Sequence, residues 1–135
     1  MAGEWSDPMS ESPWKDMAPS DPERRAYDLD RYRRTDPARV RGTPVYRDTN
    51  LSAAMFTLLP GQAHEAHTHP ATSHAWVVLS GEGECLLEDG RVEPLRVGTL
   101  CIHPKTTVHG VRNTGAVNLV YLTISVVDDR AAGNA

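Results

Sequence analysis

Four of the six histidines of this chain, His64, His67, His69 and His74, fall in the stretch Gly61–Gly81, GQAHEAHTHPATSHAWVVLSG. His67 and His69 are two residues apart. On a β-strand such residues share a face at roughly 6.5 to 7 Å spacing, so two imidazoles can lean onto one ion. Pro70 cannot donate to a strand ladder and ends the strand there. His74 follows after Ala71, Thr72 and Ser73. Neutral imidazole nitrogen suits Fe, Mn, Ni, Cu and Zn, so this spacing points first to a divalent transition metal. His64 falls in the loop before these residues and is expected to be exposed.

The elements that must position this stretch are short strands. Thr43–Arg47, Ala53–Leu59, His74–Leu79, Glu84–Glu88, Val92–Val97, Thr99–His103, Val108–Arg112 and Asn118–Val127 each read as a strand. Turn chemistry separates them: Asp48-Thr49-Asn50, Pro60-Gly61 and Asp89-Gly90, the last a dipeptide favoured in tight hairpins. Only residues 21–34 hold a possible helical period. Many short strands with turns every 8 to 12 residues or so argue an all-β sandwich or barrel.

A second stretch, Gly98–Asn113, carries His103 and His109. Together the two stretches resemble the paired motifs of the cupin superfamily. The first motif is matched by Gly61, His67, His69 and Gly81, with His74 where the family has a glutamate. The second is matched by Gly98, Pro104, His109 and Asn113, with Thr106 where glycine is usual. The resemblance covers both motifs, and the strand pattern extends it to about residues 40–128. It implies a cupin-type jelly-roll β-barrel with a metal inside, held by His67, His69, His109 and, in place of the glutamate, His74.

Four histidines without a carboxylate leave the ion's charge uncompensated, which favours anionic or chelating ligands such as enolates, carboxylates and diketonates. An octahedral ion would keep positions for water, substrate or dioxygen, whereas a tetrahedral one would be closed and structural. The resemblance implies metal-dependent chemistry of the dioxygenase, lyase, isomerase or polyketide cyclase kinds. A non-catalytic module that binds a metal or metabolite is the competing reading. With His74 inward, alternation brings Trp76 and Val78 inward, and His109 brings Val111, so these three are the substrate-binding candidates. Tyr121, Thr123 and Ser125 share one face of the last strand, Leu122 and Ile124 the other, and the interior face is left open. Catalytic candidates are Tyr121, as proton donor or substrate anchor, and His103, which shares a strand face with Cys101. Cys85 and Cys101 read as small core residues.

Composition sets the frame. At 135 residues, 39% hydrophobic and 24% charged, the chain suits one soluble domain. A net charge of −4 argues against nucleic acid or a membrane surface as partner. The seven arginines between Arg24 and Arg41 are interrupted by Asp28, Asp30 and Asp36, so they read as a solvated face or subunit contact. No apolar run is long enough to span a bilayer, the N-terminus lacks the pattern of a signal peptide, and two cysteines are too few for a disulfide scaffold. The expectation is a cytoplasmic protein. Residues 1–38, with five of the ten prolines, read as an N-terminal arm that is partly disordered or packed, through Trp5 and Trp14, on its own barrel or a neighbouring subunit. Residues 39–128 form the barrel and residues 129–135 a tail. A homodimer joined through the 39–47 strand and the arm is expected.

Overall fold

The computed structural model describes residues 17–127. Trp5, Trp14 and the 129–135 tail lie outside them. Among the described residues nine strands run in chain order: β1 (Arg41–Arg47), β2 (Leu51–Leu58), β3 (Ala63–His67), β4 (Thr72–Ser80), β5 (Glu82–Leu86), β6 (Val92–Arg96), β7 (Leu100–His103), β8 (His109–Arg112) and β9 (Leu119–Val127). They form two antiparallel sheets, ordered β1-β2-β9-β4-β7 and β3-β8-β5-β6. The expected all-β jelly-roll is present. The helical period in residues 21–34 yields only one 3-10 turn, Leu29–Tyr32, begun by the Asp28 side chain accepting from the Asp30 amide. The turn carries alternating charges and no fully buried residue, so it does not extend into a full helix.

Alternation organises the interior. Thr72, His74, Trp76 and Val78 on β4 are buried, while Ser73, Ala75, Val77 and Leu79 between them are half-buried. On β9 the face left open by the sequence is settled: Tyr121, Thr123 and Ser125 point inward and are 2%, 3% and 5% exposed. Phe56, Leu58, Trp76, Val78, Leu95, Val111, Leu119 and Tyr121 form the apolar core between the sheets.

A second apolar cluster explains why Val120 is as buried as its neighbour Tyr121. Val45, Met55 and Val120 lie on the outer face of the first sheet, where Tyr27, Leu29 and Tyr32 of the arm pack over them. The arm is tied down further by the Ser20 amide donating to the Arg47 carbonyl at 2.9 Å and by Arg47 Nη1 donating to the Met17 carbonyl at 3.3 Å.

Two backbone features position the site. Gly81 ends β4 at φ +79, and a Cβ there would stand 2.2 Å from the Asn118 carbonyl oxygen. Thr106, where the family usually has glycine, nevertheless adopts φ 69. Its amide donates to the His69 carbonyl at 2.8 Å, so the turn of the second motif holds a histidine of the first.

Candidate metal centre

The histidines converge at one end of the barrel interior. The ligand-capable atoms of His67, His69 and His109 all lie within 4.8 Å of one another. A metal at about 2.1 Å from each nitrogen would set such atoms roughly 3 to 4 Å apart, a spacing reached by side-chain shifts of about an ångström. His74 stands beside this trio, its ring centroid 4.6 Å from that of His69 and 5.3 Å from that of His109.

For His67, His109 and His74 the Nδ1 atom is already committed. His67 Nδ1 lies 2.7 Å from the Glu65 carbonyl, which can only accept, so Nδ1 carries the proton and Nε2 keeps its lone pair. His109 Nδ1 makes the same contact, more weakly, to the Thr107 carbonyl at 3.4 Å. His74 Nδ1 is 2.7 Å from the buried Ser125 hydroxyl. Such hydrogen bonds orient metal-binding imidazoles. The donor set therefore fits a divalent transition metal, and the cluster could hold one.

The way the chain brings His67 to His109 departs from simple alternation. The β3–β8 ladder pairs His64 with Val111 and His67 with His109, three residues on one strand against two on the other. The extra residue is a β-bulge over Glu65 and Ala66, both exposed. It turns His64 inward together with His67. His64 is therefore 7% exposed, with its ring 4.9 Å from that of His67, rather than lying in an exposed loop. His69, in turn, sits just past the end of β3 and not on the same strand as His67.

The cavity is lined by Phe56, His64, His67, His69, His74, Trp76, His109, Tyr121 and Thr123. It measures about 250 Å³ with its mouth included. Trp76 is there as expected. Val78 and Val111 face inward but lie deeper, in the apolar core with Leu58 and Leu119, and do not line the cavity. The step of two along each strand carries them past the floor of the site. His103 is not in the lining either. It sits behind His109, stacked at 4.5 Å and 23°, and beside Trp76 at 4.3 Å. Phe56, Thr123 and Ser125 were missing from the sequence-based site. For Thr123 and Ser125 the signal existed, since they share the Tyr121 face; for Phe56 nothing marked it among the apolar residues of β2.

Electrostatics keep this cluster neutral. Among the described residues no carboxylate lines the cavity. Burial first, and neighbouring imidazoles second, lower His69 from 6.5 to about 4, His74 to about 3 and His109 to about 2. Burial likewise pushes the Tyr121 phenol well above its ordinary value. A consequence can be measured on chelator-treated protein. The unfolded chain takes up protons on these histidines below pH 6.5, while the folded chain resists until about pH 4 and below. In that window the unfolded state binds more protons, so stability falls on acidification, by on the order of 3 kcal/mol for each of the three histidines. Urea denaturation across the window should show that loss; flat or rising stability would contradict neutral buried imidazoles.

Comparison with known proteins agrees with this architecture. Residues 54–125 match the family described as the cupin domain. Over 74 residues the chain is 27% identical to an oxalate-binding protein of Thermotoga maritima, covering 55% of this chain and 60% of that relative's own length. An uncharacterised Klebsiella pneumoniae protein with a double-stranded β-helix domain superposes with a TM-score of 0.73 at 26% identity, over 76% of this chain and 90% of that one. An RmlC-like cupin protein from Desulfovibrio desulfuricans gives a TM-score of 0.69 at 28% identity, over 76% of this chain and 96% of that one. With both motifs in place around one histidine cluster and more than half its length matched, the chain belongs to the cupin family.

Proposed function

We propose that this protein is a metal-dependent enzyme acting on a small, oxygenated, chelating anion, with His67, His69, His74 and His109 as the ligands of one divalent ion. The observation that carries this reading is the convergence of the His67, His69 and His109 ligand atoms within 4.8 Å inside a cavity without carboxylates. A bound divalent ion would supply Lewis acidity towards substrate oxygens, or a site for dioxygen.

The chain's own residues would do the rest. Trp76 and Phe56 exclude water from the cavity walls. Tyr121 keeps its proton because burial disfavours the phenolate, so its hydroxyl can donate to a bound oxygen anion. Thr123 offers a second buried hydroxyl, one with no hydrogen-bond partner among the described residues. The cavity is confined, about 250 Å³ even with its open mouth counted, which favours a ligand of few heavy atoms. The name of the Thermotoga relative, an oxalate-binding protein, fits that class.

The test is elemental analysis of purified protein, followed by titration with oxalate and related dicarboxylates while the metal spectrum and oxygen uptake are recorded. The proposal expects a bound transition metal whose spectrum shifts with ligand, and turnover of at least one chelating anion. A metal-free protein, or a metal indifferent to such ligands, would overturn it. Replacing Tyr121 by Phe should lower turnover by about 100-fold or more with little change in metal content; unchanged turnover would remove the phenol from the chemistry.

A second reading, a binding module without catalysis, is favoured by one observation: the cavity lining holds no acidic side chain to serve as a general base. Ligand-dependent spectra without any product or oxygen uptake would select it. His103, behind the cavity wall, serves either reading through His109 and Trp76, on which its ring packs.

Cytoplasmic placement and a homodimer complete the proposal. No helix among the described residues is long and apolar enough to cross a membrane, and both cysteines are free thiols. Leu100 and Ile102 on β7 are each 60% exposed, an apolar edge that adds to the arm and β1 as contact surface. Sedimentation at micromolar concentration should give twice the 14.8 kDa chain mass; a monomer would contradict it.

A further inference from the structure

We propose that Cys85, Cys101 and His103 form a second metal site, distinct from the histidine centre and selective for a thiophilic ion such as zinc. Among the described residues these are the other group whose ligand atoms, two sulfurs and a ring nitrogen, all lie within 4.8 Å of one another. Cys85 Sγ is 3.8 Å from His103 Nε2. In tetrahedral zinc, with Zn–S near 2.3 Å and Zn–N near 2.0 to 2.1 Å, that edge is about 3.6 Å. The pair is therefore close to ligand spacing before any ion enters.

The place in the fold supports a built site. β7 is the last strand of one sheet and β6 the last strand of the other. Cys101 and His103 come from β7, two residues apart on one face, and Cys85 comes from β5 beside β6. The three side chains thus meet across the seam where the sheets are not hydrogen-bonded to each other. Cys85 and His103 are 1% and 2% exposed, whereas Cys101 is half-buried and opens the site to the outside. Sulfur ligands separate this site by softness from the all-nitrogen centre. The His103 ring stacks on His109, so an ion here would fix the wall behind a ligand of the first metal.

Two thiols lose their protons to solvent on binding, and no oxidant or reductant is needed. The experiment is an anaerobic cobalt(II) titration of the full chain under a phosphine reductant. Two equivalents should bind, one of them bringing an intense near-ultraviolet thiolate-to-cobalt charge-transfer band that zinc then bleaches. The double variant Cys85→Ser/Cys101→Ser should keep one equivalent and lose the band. His103→Ala should weaken the band's midpoint at least about 10-fold. Should the double variant fail to fold, the wild type still decides: zinc must protect both thiols from an aromatic disulfide reagent, and a chelator must restore their reactivity. Cobalt uptake without a thiolate band, or thiols equally reactive with and without zinc, would overturn the site.

Discussion

Replacing His109 by alanine is expected to abolish stable metal binding, with affinity falling by more than the roughly 10- to 100-fold typical of losing a hydrogen-bond partner of a ligand. His109 is the hub of the cluster. Its ring lies 4.8 Å from His67, 5.1 Å from His69, 5.3 Å from His74 and 4.5 Å from His103. It stands with His67 on the second sheet, through β8 and β3, facing His74 on β4 of the first. Ser125→Ala supplies the contrast. It removes the 2.7 Å partner of His74 but no ligand, so its loss should stay within about 10- to 100-fold. Isothermal titration of both variants with one metal would check the order. Equal losses, or an unaffected His109→Ala, would dismiss His109 as a ligand.

The second large effect is expected at a residue with no side chain. A Cβ on Gly110 would lie 2.8 Å from the Ala66 Cα, the Ala66 amide nitrogen and the His64 carbonyl oxygen. All three are backbone atoms of the β3 bulge, so no side chain can swing aside. Gly110→Ala should push β3 from β8 and cost roughly 2 to 3 kcal/mol, the upper part of the range for overpacking. Because the same ladder pairs His67 with His109, metal affinity should fall together with stability. Thermal melts with and without metal would show both losses. A variant as stable and as metal-competent as the parent would mean that the bulge does not need this close approach.

These two positions mark how far the sequence could be read. His109 was legible because the spacing of Gly98, Pro104 and Asn113 around it repeats a family pattern. Gly110 was not, because a close approach between non-neighbouring strands leaves no local periodicity. The bulge hid His64 for the same reason. A strict period of two sends His64 and His67 to opposite faces, and only the inserted residue returns both to the interior. Strand positions came through well, since β-branched runs and turn residues are local signals. The inner face of β9 could not be assigned from alternation alone. Its outer face carries Val120 and Leu122 in the cluster with Tyr27, Leu29 and Tyr32 of the arm, while its inner face mixes Tyr121 with the polar Thr123 and Ser125. Cys85 and Cys101 read as core residues because their meeting with His103 spans two sheets and separations of up to 18 residues.

The account's central claim is that His67, His69, His74 and His109 hold one ion without a carboxylate. Manganese has little affinity for thiolates, which confines it to the histidine centre. X-ray absorption of the protein loaded with one equivalent of manganese therefore tests the claim most directly. The expected spectrum carries multiple scattering from all four imidazoles, and His74→Ala should reduce that contribution by one ring. A spectrum with fewer imidazoles, or one that His74→Ala leaves unchanged, would contradict it.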